Sequence, residues 1–386
     1  MNNLRILTLI ILALAALLRS EIFFYLLYVL VGLQLAAWAW VWVIARGLRW
    51  SRELPAALFP GEPAEVRLIV RNASLLPIPW LVIHESVPPA LRLDDGVRRV
   101  VSLAANEQRA ITYSLRGQRR GLYQVGPLRL RTGDALGLFE RPLDGGTTSS
   151  LVVYPHVVPL PKLGLPAGLP FGARPEPGGL FSDPARPAGP RDYHVGDGLR
   201  QIDWKSSARV GGLQVRRHEP ALARVTLLAL AFSRSEYPGR YLHDELERAI
   251  IATASLAADL IGRGQPVGMY TSGRDGLSAA PAAPLLPASG RTHLMNLLSL
   301  LGRLEAPPEA DLLHGLDRAT AKLGWGSTVV VIAATAPSSL IERLLPVRRR
   351  GLRLALVLVE SSAADLALAR RHGVACYLVD RTGVPS

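Results

Sequence analysis

The densest group of chemically competent side chains lies between Arg191 and Arg209. There Arg191, Asp192, Asp197, Arg200, Asp203, Lys205 and Arg209 alternate in sign around Tyr193 and Trp204, with Gly196 and Gly198 at turn positions. Asp197 and the Asp203-x-Lys205 pair carry the groups that could ligate Mg²⁺ and orient a water, the chemistry of a Mg-dependent hydrolase or nuclease. The same charges also suit an ion-paired loop and hairpin that clamps two domains together. A network partly desolvated under Trp204 would fix geometry, whereas isolated surface pairs contribute only ~0 to 1 kcal/mol. A third use, docking of a partner protein on this polar surface, is compatible with the clamp.

Other chemistries find little support. The single cysteine, Cys376, excludes an intramolecular disulfide or a thiolate metal cluster, and its apolar neighbours predict a small buried hydrophobe in a strand. No Gly-rich phosphate loop, H-E-x-x-H, G-x-S-x-G or nucleophile-base arrangement occurs in the sequence. Net charge is +13, but only three of the 44 basic residues are lysine and most are scattered in ones and twos. A nucleic-acid binder concentrates such charge beside stacking aromatics, so no nucleic-acid partner is expected. An anionic bilayer surface accounts for the charge better, at about 1 kcal/mol per basic residue near the headgroups.

These side chains need a scaffold, and the chain offers four zones. Residues 1–45 hold two apolar runs, Ile6 to Leu18 and Ile22 to Ile44, broken chiefly by Thr8 and Gln34 and separated by Arg19, Ser20 and Glu21. They predict a transmembrane helical hairpin, with Trp38, Trp40, Trp42 and Trp50 near one interface. Arg5, Arg46, Arg49 and Arg52 flank the runs, and the positive-inside rule then places both ends in the cytoplasm. Residues 46–154 alternate over short runs, such as Ala64 to Val70 and Arg109 to Leu115, and predict an antiparallel, immunoglobulin-like β-sandwich. Residues 155–190, with ten prolines and six glycines, read as a linker or irregular wrapping segment. Residues 191–386 carry the charged motif and then apolar strands alternating with helices, a doubly wound α/β sheet.

The spacing R-x-Y-x-x-G-D-x-x-R-x-I-D-W-K-x-x-A-R from Arg191 to Arg209, followed by Leu213-Gln214-Val215-Arg216 and Glu219, resembles the signature of the DUF58 family of bacterial membrane proteins. Arg120 to Pro127 and Asp134 to Phe139 are similar to the same family's β region. The resemblance implies a von Willebrand factor A-like domain after the motif and a working association with MoxR-type AAA+ ATPases. It implies no established enzymatic activity.

In metal-binding von Willebrand A domains a D-x-S-x-S loop at the carboxyl end of the first strand holds a divalent cation. Here the stretch is Ala231-Phe232-Ser233-Arg234-Ser235, with Thr292 as a candidate for the family's threonine. Three hydroxyls without carboxylate charge do not offset the dehydration of Mg²⁺, so no metal and no cofactor are expected. The sequence thus predicts a non-enzymatic scaffold in the bacterial inner membrane with cytoplasmic soluble domains. Its expected partners are the bilayer, a MoxR-type AAA+ ATPase and other membrane or von Willebrand A-domain proteins. Its interaction motif is Arg191, Tyr193, Gly196, Asp197, Arg200, Asp203, Trp204, Lys205 and Arg209.

Overall fold

The structure is a computed structural model that describes the chain apart from residues 1, 19–20, 94–97, 147, 167–181, 195–201, 221–224, 238, 240, 361–362 and 381–386. It divides into two compact units, Met1–Pro155 and His156–Ser386.

The first unit begins with the apolar helices Asn2–Leu18 and Glu21–Gly47. The second of these, at 27 residues, is long and apolar enough to span a membrane; the apolar part of the first, Ile6–Leu18, is shorter. The helices touch, and the Gln34 side-chain amide donates to the Thr8 hydroxyl at 2.6 Å. The polar interruptions of the two runs thereby face one another, as polar groups in an apolar setting must.

Helix Glu21–Gly47 continues without a linker into strand Leu48–Glu53. The rest of this unit is β-structure with mixed sheets. One sheet orders Leu48–Glu53, Pro63–Asn72, Gln108–Gly117 and Leu91–Leu93, and a second orders Glu140–Asp144, Leu128–Gly133, Ile78–Glu85 and Arg98–Leu103. A third sheet joins Ala57–Leu58, Ser149–Val153 and Gly121–Val125, its first pair parallel. Strand Pro63–Asn72 shows why these segments fold so: Ala64, Val66, Leu68 and Val70 are buried while Glu65 and Arg67 between them are exposed. Ile44 from the last turn of the long helix lies in the same core as Leu68, Leu81 and Leu130. Inside this unit the Arg52 guanidinium pairs with Glu85, and both side chains are almost completely buried. Tyr113 donates to the other Glu85 oxygen at 2.7 Å, and Arg52 donates to the Val125 carbonyl and the Ser149 hydroxyl. One ionic group thus ties all three sheets.

The second unit is built on a six-stranded sheet ordered Leu285–Ala288, Val267–Thr271, Thr226–Leu230, Thr328–Ala333, Arg353–Leu358 and Ala375–Leu378. All neighbours are parallel except the edge strand Leu285–Ala288. Thr226–Leu230 and Thr328–Ala333 are buried along their whole length, as strands covered on both faces require. The helices Leu242–Gly262, Arg291–Arg303, Leu313–Thr320, Ser338–Arg349 and Ala363–Arg371 connect them.

From His156 on, the described residues of the segment read as a linker or irregular wrapping segment fall in this unit. Leu160, Leu163 and Leu165 are buried, the Val158 N–H donates to Ser255 Oγ, and Ser182–Asp192 forms a strand antiparallel to Gln214–Pro220. Proline is tolerated there because the ribbon has only two strands and its register shifts around Pro187 and Pro190.

Candidate functional site

The chain leaves strand Thr226–Leu230 on one side toward Val267–Thr271 and on the other lies against Thr328–Ala333, which is reached only after two further helices. A crevice at such a switch point, beyond the carboxyl ends of the strands, is where open α/β sheets bind ligands. A pocket of about 340 Å³ lies there, and its walls include Ala231 and Ala333 from the two strand ends. Ser235, Glu236, Asp311, Thr335, Ser339 and Arg343 supply its polar lining.

The hydroxyls of Ser233 and Ser235 lie 3.1 Å apart. The expectation of a loop without acidic oxygens is corrected, because Glu236 and Asp311 both line the pocket. Glu236 Oε2 accepts from the Ser233 N–H at 3.0 Å, the Ser233 hydroxyl at 2.8 Å and the Ser272 hydroxyl at 2.7 Å. Its other oxygen accepts from the Leu312 N–H at 2.8 Å. One carboxylate therefore staples the loop after Thr226–Leu230 to the end of the neighbouring strand and to the approach to helix Leu313–Thr320. Asp311 accepts from the Leu313 N–H at 2.9 Å and pairs with Arg343 at 2.8 Å, so an internal guanidinium stands beside the second acid. Among the described residues no three His, Cys, Asp or Glu side chains are grouped to hold a metal ion.

Beneath the loop, Tyr237 donates to the Ala231 carbonyl at 2.9 Å. Burial, then the charges of Glu236 and Glu245, push its phenol well above the usual range.

Thr292 does not join the two serines. Ala288 pairs with Val267, so the antiparallel edge strand delivers the chain to the amino ends of the parallel strands, and helix Arg291–Arg303 starts there. Five strand residues, roughly 15 Å, separate that end from Ser233. Thr292 is exposed, while its neighbour His293 contacts the Val267 carbonyl at 2.7 Å.

The charged motif forms a separate feature on the ribbon. Arg191 pairs with Val215 in the ladder, the Asp192 carboxylate accepts from the Gln214 amide at 2.5 Å, and the Tyr193 N–H donates to the Leu213 carbonyl. Asp203 caps helix Trp204–Val210 by accepting the Ser206 N–H, an ordinary N-cap role. Gly196, Asp197 and Arg200 lie outside the described residues. The expected roof over the charges is corrected: Trp204 is 68% exposed, and the helix it begins buries none of its residues. Val210 is equally exposed, Leu213 three residues on is exposed too, and Lys205 and Arg209 are exposed on the same helix.

Residues 189–367 match the family model described as Protein of unknown function DUF58. These findings support the DUF58 family. The DUF58 match takes in the end of strand Ser182–Asp192, its partner Gln214–Pro220, the motif helix and all of the six-stranded sheet except Ala375–Leu378. The chain is also 24% identical over 242 residues to the Uncharacterized protein YeaD of Bacillus subtilis strain 168. That alignment takes 60% of this chain and 57% of the relative, so it spans little more than half the relative's length. Among solved structures, α2-macroglobulin of Escherichia coli matches at 14% identity over 29% of this chain and 17% of that one, with a TM-score of 0.26. The CARDB domain of the PF1109 protein from Pyrococcus furiosus matches at 15% identity over 28% of this chain and 86% of that one, with a TM-score of 0.20. Likenesses this low assign no fold to this chain.

Proposed function

We propose that this chain is a non-enzymatic adaptor anchored in the bacterial inner membrane by its N-terminal helical hairpin. Its immunoglobulin-like β unit and von Willebrand A-like α/β unit are presented to a cytoplasmic MoxR-type AAA+ ATPase during assembly or maturation of other proteins. The observation that carries the reading is the use of Glu236, whose carboxylate takes four donors from its own protein at the crevice where an α/β sheet would hold a cation. Binding Mg²⁺ there would break those bonds before new ones formed, and the metal dehydrates reluctantly. The exposed Trp204 and Arg209, with Val210 and Leu213 nearby in sequence, support the docking half, since aromatic and arginine side chains anchor protein interfaces. The ATPase itself follows from the family resemblance.

The competing reading is a Mg-dependent hydrolase at Asp197, Asp203 and Lys205. It is weakened by the capping role of Asp203, which engages one of its oxygens with the Ser206 N–H. The deciding assay is nuclease and phosphatase turnover by the purified full chain with Mg²⁺, using Asp203→Asn as control. Asparagine caps helices as well as aspartate, so the variant removes charge while keeping the helix start. The adaptor reading predicts no turnover; activity abolished in the variant would establish the hydrolase instead.

A further inference from the structure

Leu75 is 82% exposed, more than any other large apolar side chain in the described structure. It sits in the uncharged run Ala73-Ser74-Leu75-Leu76-Pro77-Ile78-Pro79, where Ala73 and Pro77 are also exposed. The loop is built to hold it out. The fully buried Asn72 donates to the Leu76 and Ala104 carbonyls, both at 2.9 Å, and its side-chain oxygen accepts the Ser74 N–H and hydroxyl. The same Ser74 oxygen lies 2.9 Å from the Leu76 carbonyl.

The loop lies against the end of the long apolar helix. The Ala73 N–H donates to the Gly47 carbonyl at 2.9 Å, and the Trp40 indole donates to the Pro77 carbonyl at 3.2 Å. The approach is close enough that a Cβ on Gly47 would fall 2.6 Å from that of Ser74. A hydrocarbon core of ~30 Å takes about 20 helical residues, which counted from Ile22 end at Val41. Trp40 therefore marks the bilayer boundary, and Pro77 is tied to it at that depth. Arg46 stacks over Trp42 at 3.5 Å just beyond, where headgroup phosphates lie.

We propose that loop 73–77 is a second membrane contact, with Leu75 inserted into the interfacial region of the bilayer that the helix enters. This rests on helix Glu21–Gly47 spanning a membrane. With a rigid helix-to-strand junction and one inserted side chain, the β unit would be held to the surface in one orientation.

The test uses the full chain with Cys376→Ala, carrying one cysteine at Leu75→Cys or Glu62→Cys and labelled with an environment-sensitive nitrobenzoxadiazole dye. Glu62 is exposed just before strand Pro63–Asn72, whose ten residues span about 33 Å, so it reports the far end of the unit. Each protein is reconstituted in phosphatidylcholine–phosphatidylglycerol vesicles, floated on a gradient, and quenched with lipids spin-labelled near the headgroup. The expected result is flotation of both, with blue-shifted emission at position 75 and quenching several-fold greater than at 62. Flotation with equal, water-like signals would overturn the loop contact while leaving the span intact. A blue shift without lipid quenching would mark a second copy of the chain on the loop and overturn it too. Failure to float would remove the span, and the proposal with it.

Discussion

The hydroxyl of Ser233 donates to the carboxylate of Glu236 at 2.8 Å, and the same carboxylate oxygen accepts the Ser233 backbone N–H. This turn organises the end of the central sheet, because Glu236 also reaches Ser272 and Leu312. Glu236→Ala should destabilise the chain by about 2–4 kcal/mol, leaving several donors without their acceptor. Arg343→Ala, which removes a half-exposed partner of Asp311, should cost under ~1 kcal/mol. Denaturant unfolding of the detergent-solubilised protein distinguishes the two; equal costs would mean that Glu236 does not hold the loops together.

The buried pair of Arg52 and Glu85 makes a second prediction. Removing either partner alone should cost about 3–5 kcal/mol, because an uncompensated charge is left inside the β unit. Burial first, then the hydrogen bond to Glu85, pushes the Tyr113 phenol far above its usual value of 10.0. Unfolded tyrosine loses its proton near pH 10 while folded Tyr113 keeps it, so the unfolded state binds fewer protons and stability falls as pH rises above that value. Tyr113→Phe should flatten the alkaline fall in stability, measured as the denaturation midpoint between pH 9 and 11. An unchanged slope would show that Tyr113 does not contribute to it.

Cys376 is buried in strand Ala375–Leu378, and desolvation pushes its thiol up to about 11 from 9.0. Since the thiolate is the nucleophile, maleimide labelling at pH 8 should be roughly a hundredfold slower than for a free thiol. Labelling should accelerate as pH approaches 11 and become immediate on denaturation, followed by intact mass. Rapid labelling of the native chain at pH 8 would contradict this environment.

Thr292 and Ser233 should behave differently on mutation. Exposed Thr292→Ala should change stability by no more than ~0.5 kcal/mol. Ser233→Ala should cost about 1–3 kcal/mol, since Ser233 is fully buried and bonded to Glu236 and the Ala310 carbonyl. A Thr292→Ala cost matching that of Ser233→Ala would contradict their placement at opposite ends of the sheet.

The sequence revealed these elements unevenly, for physical reasons. Long periodic segments such as Leu242–Gly262 and continuous apolar strands such as Thr328–Ala333 carry their own signal. Edge strand Leu285–Ala288, only four residues with Pro287 inside, carries none, and without it Thr292 could not be assigned to an end of the sheet. Glu236 was missed; its S-x-x-E spacing from Ser233 is the signal that could have found it, although its contacts with Ser272 and Leu312 depend on the fold. Arg52 and Glu85 are 33 residues apart and sit on different sheets, so no local pattern links them. Trp204 was expected over a charged network; on a seven-residue helix with no buried residues it is open to a partner.

That openness allows the most direct test of the adaptor reading. A photocrosslinking amino acid at position 204 of the full chain, activated in native membranes, should give an adduct identified by mass spectrometry as an AAA+ ATPase. The adduct should weaken at least several-fold with Lys205→Glu. Membranes that contain the ATPase but yield no such adduct, or one unchanged by Lys205→Glu, would contradict docking on the motif helix.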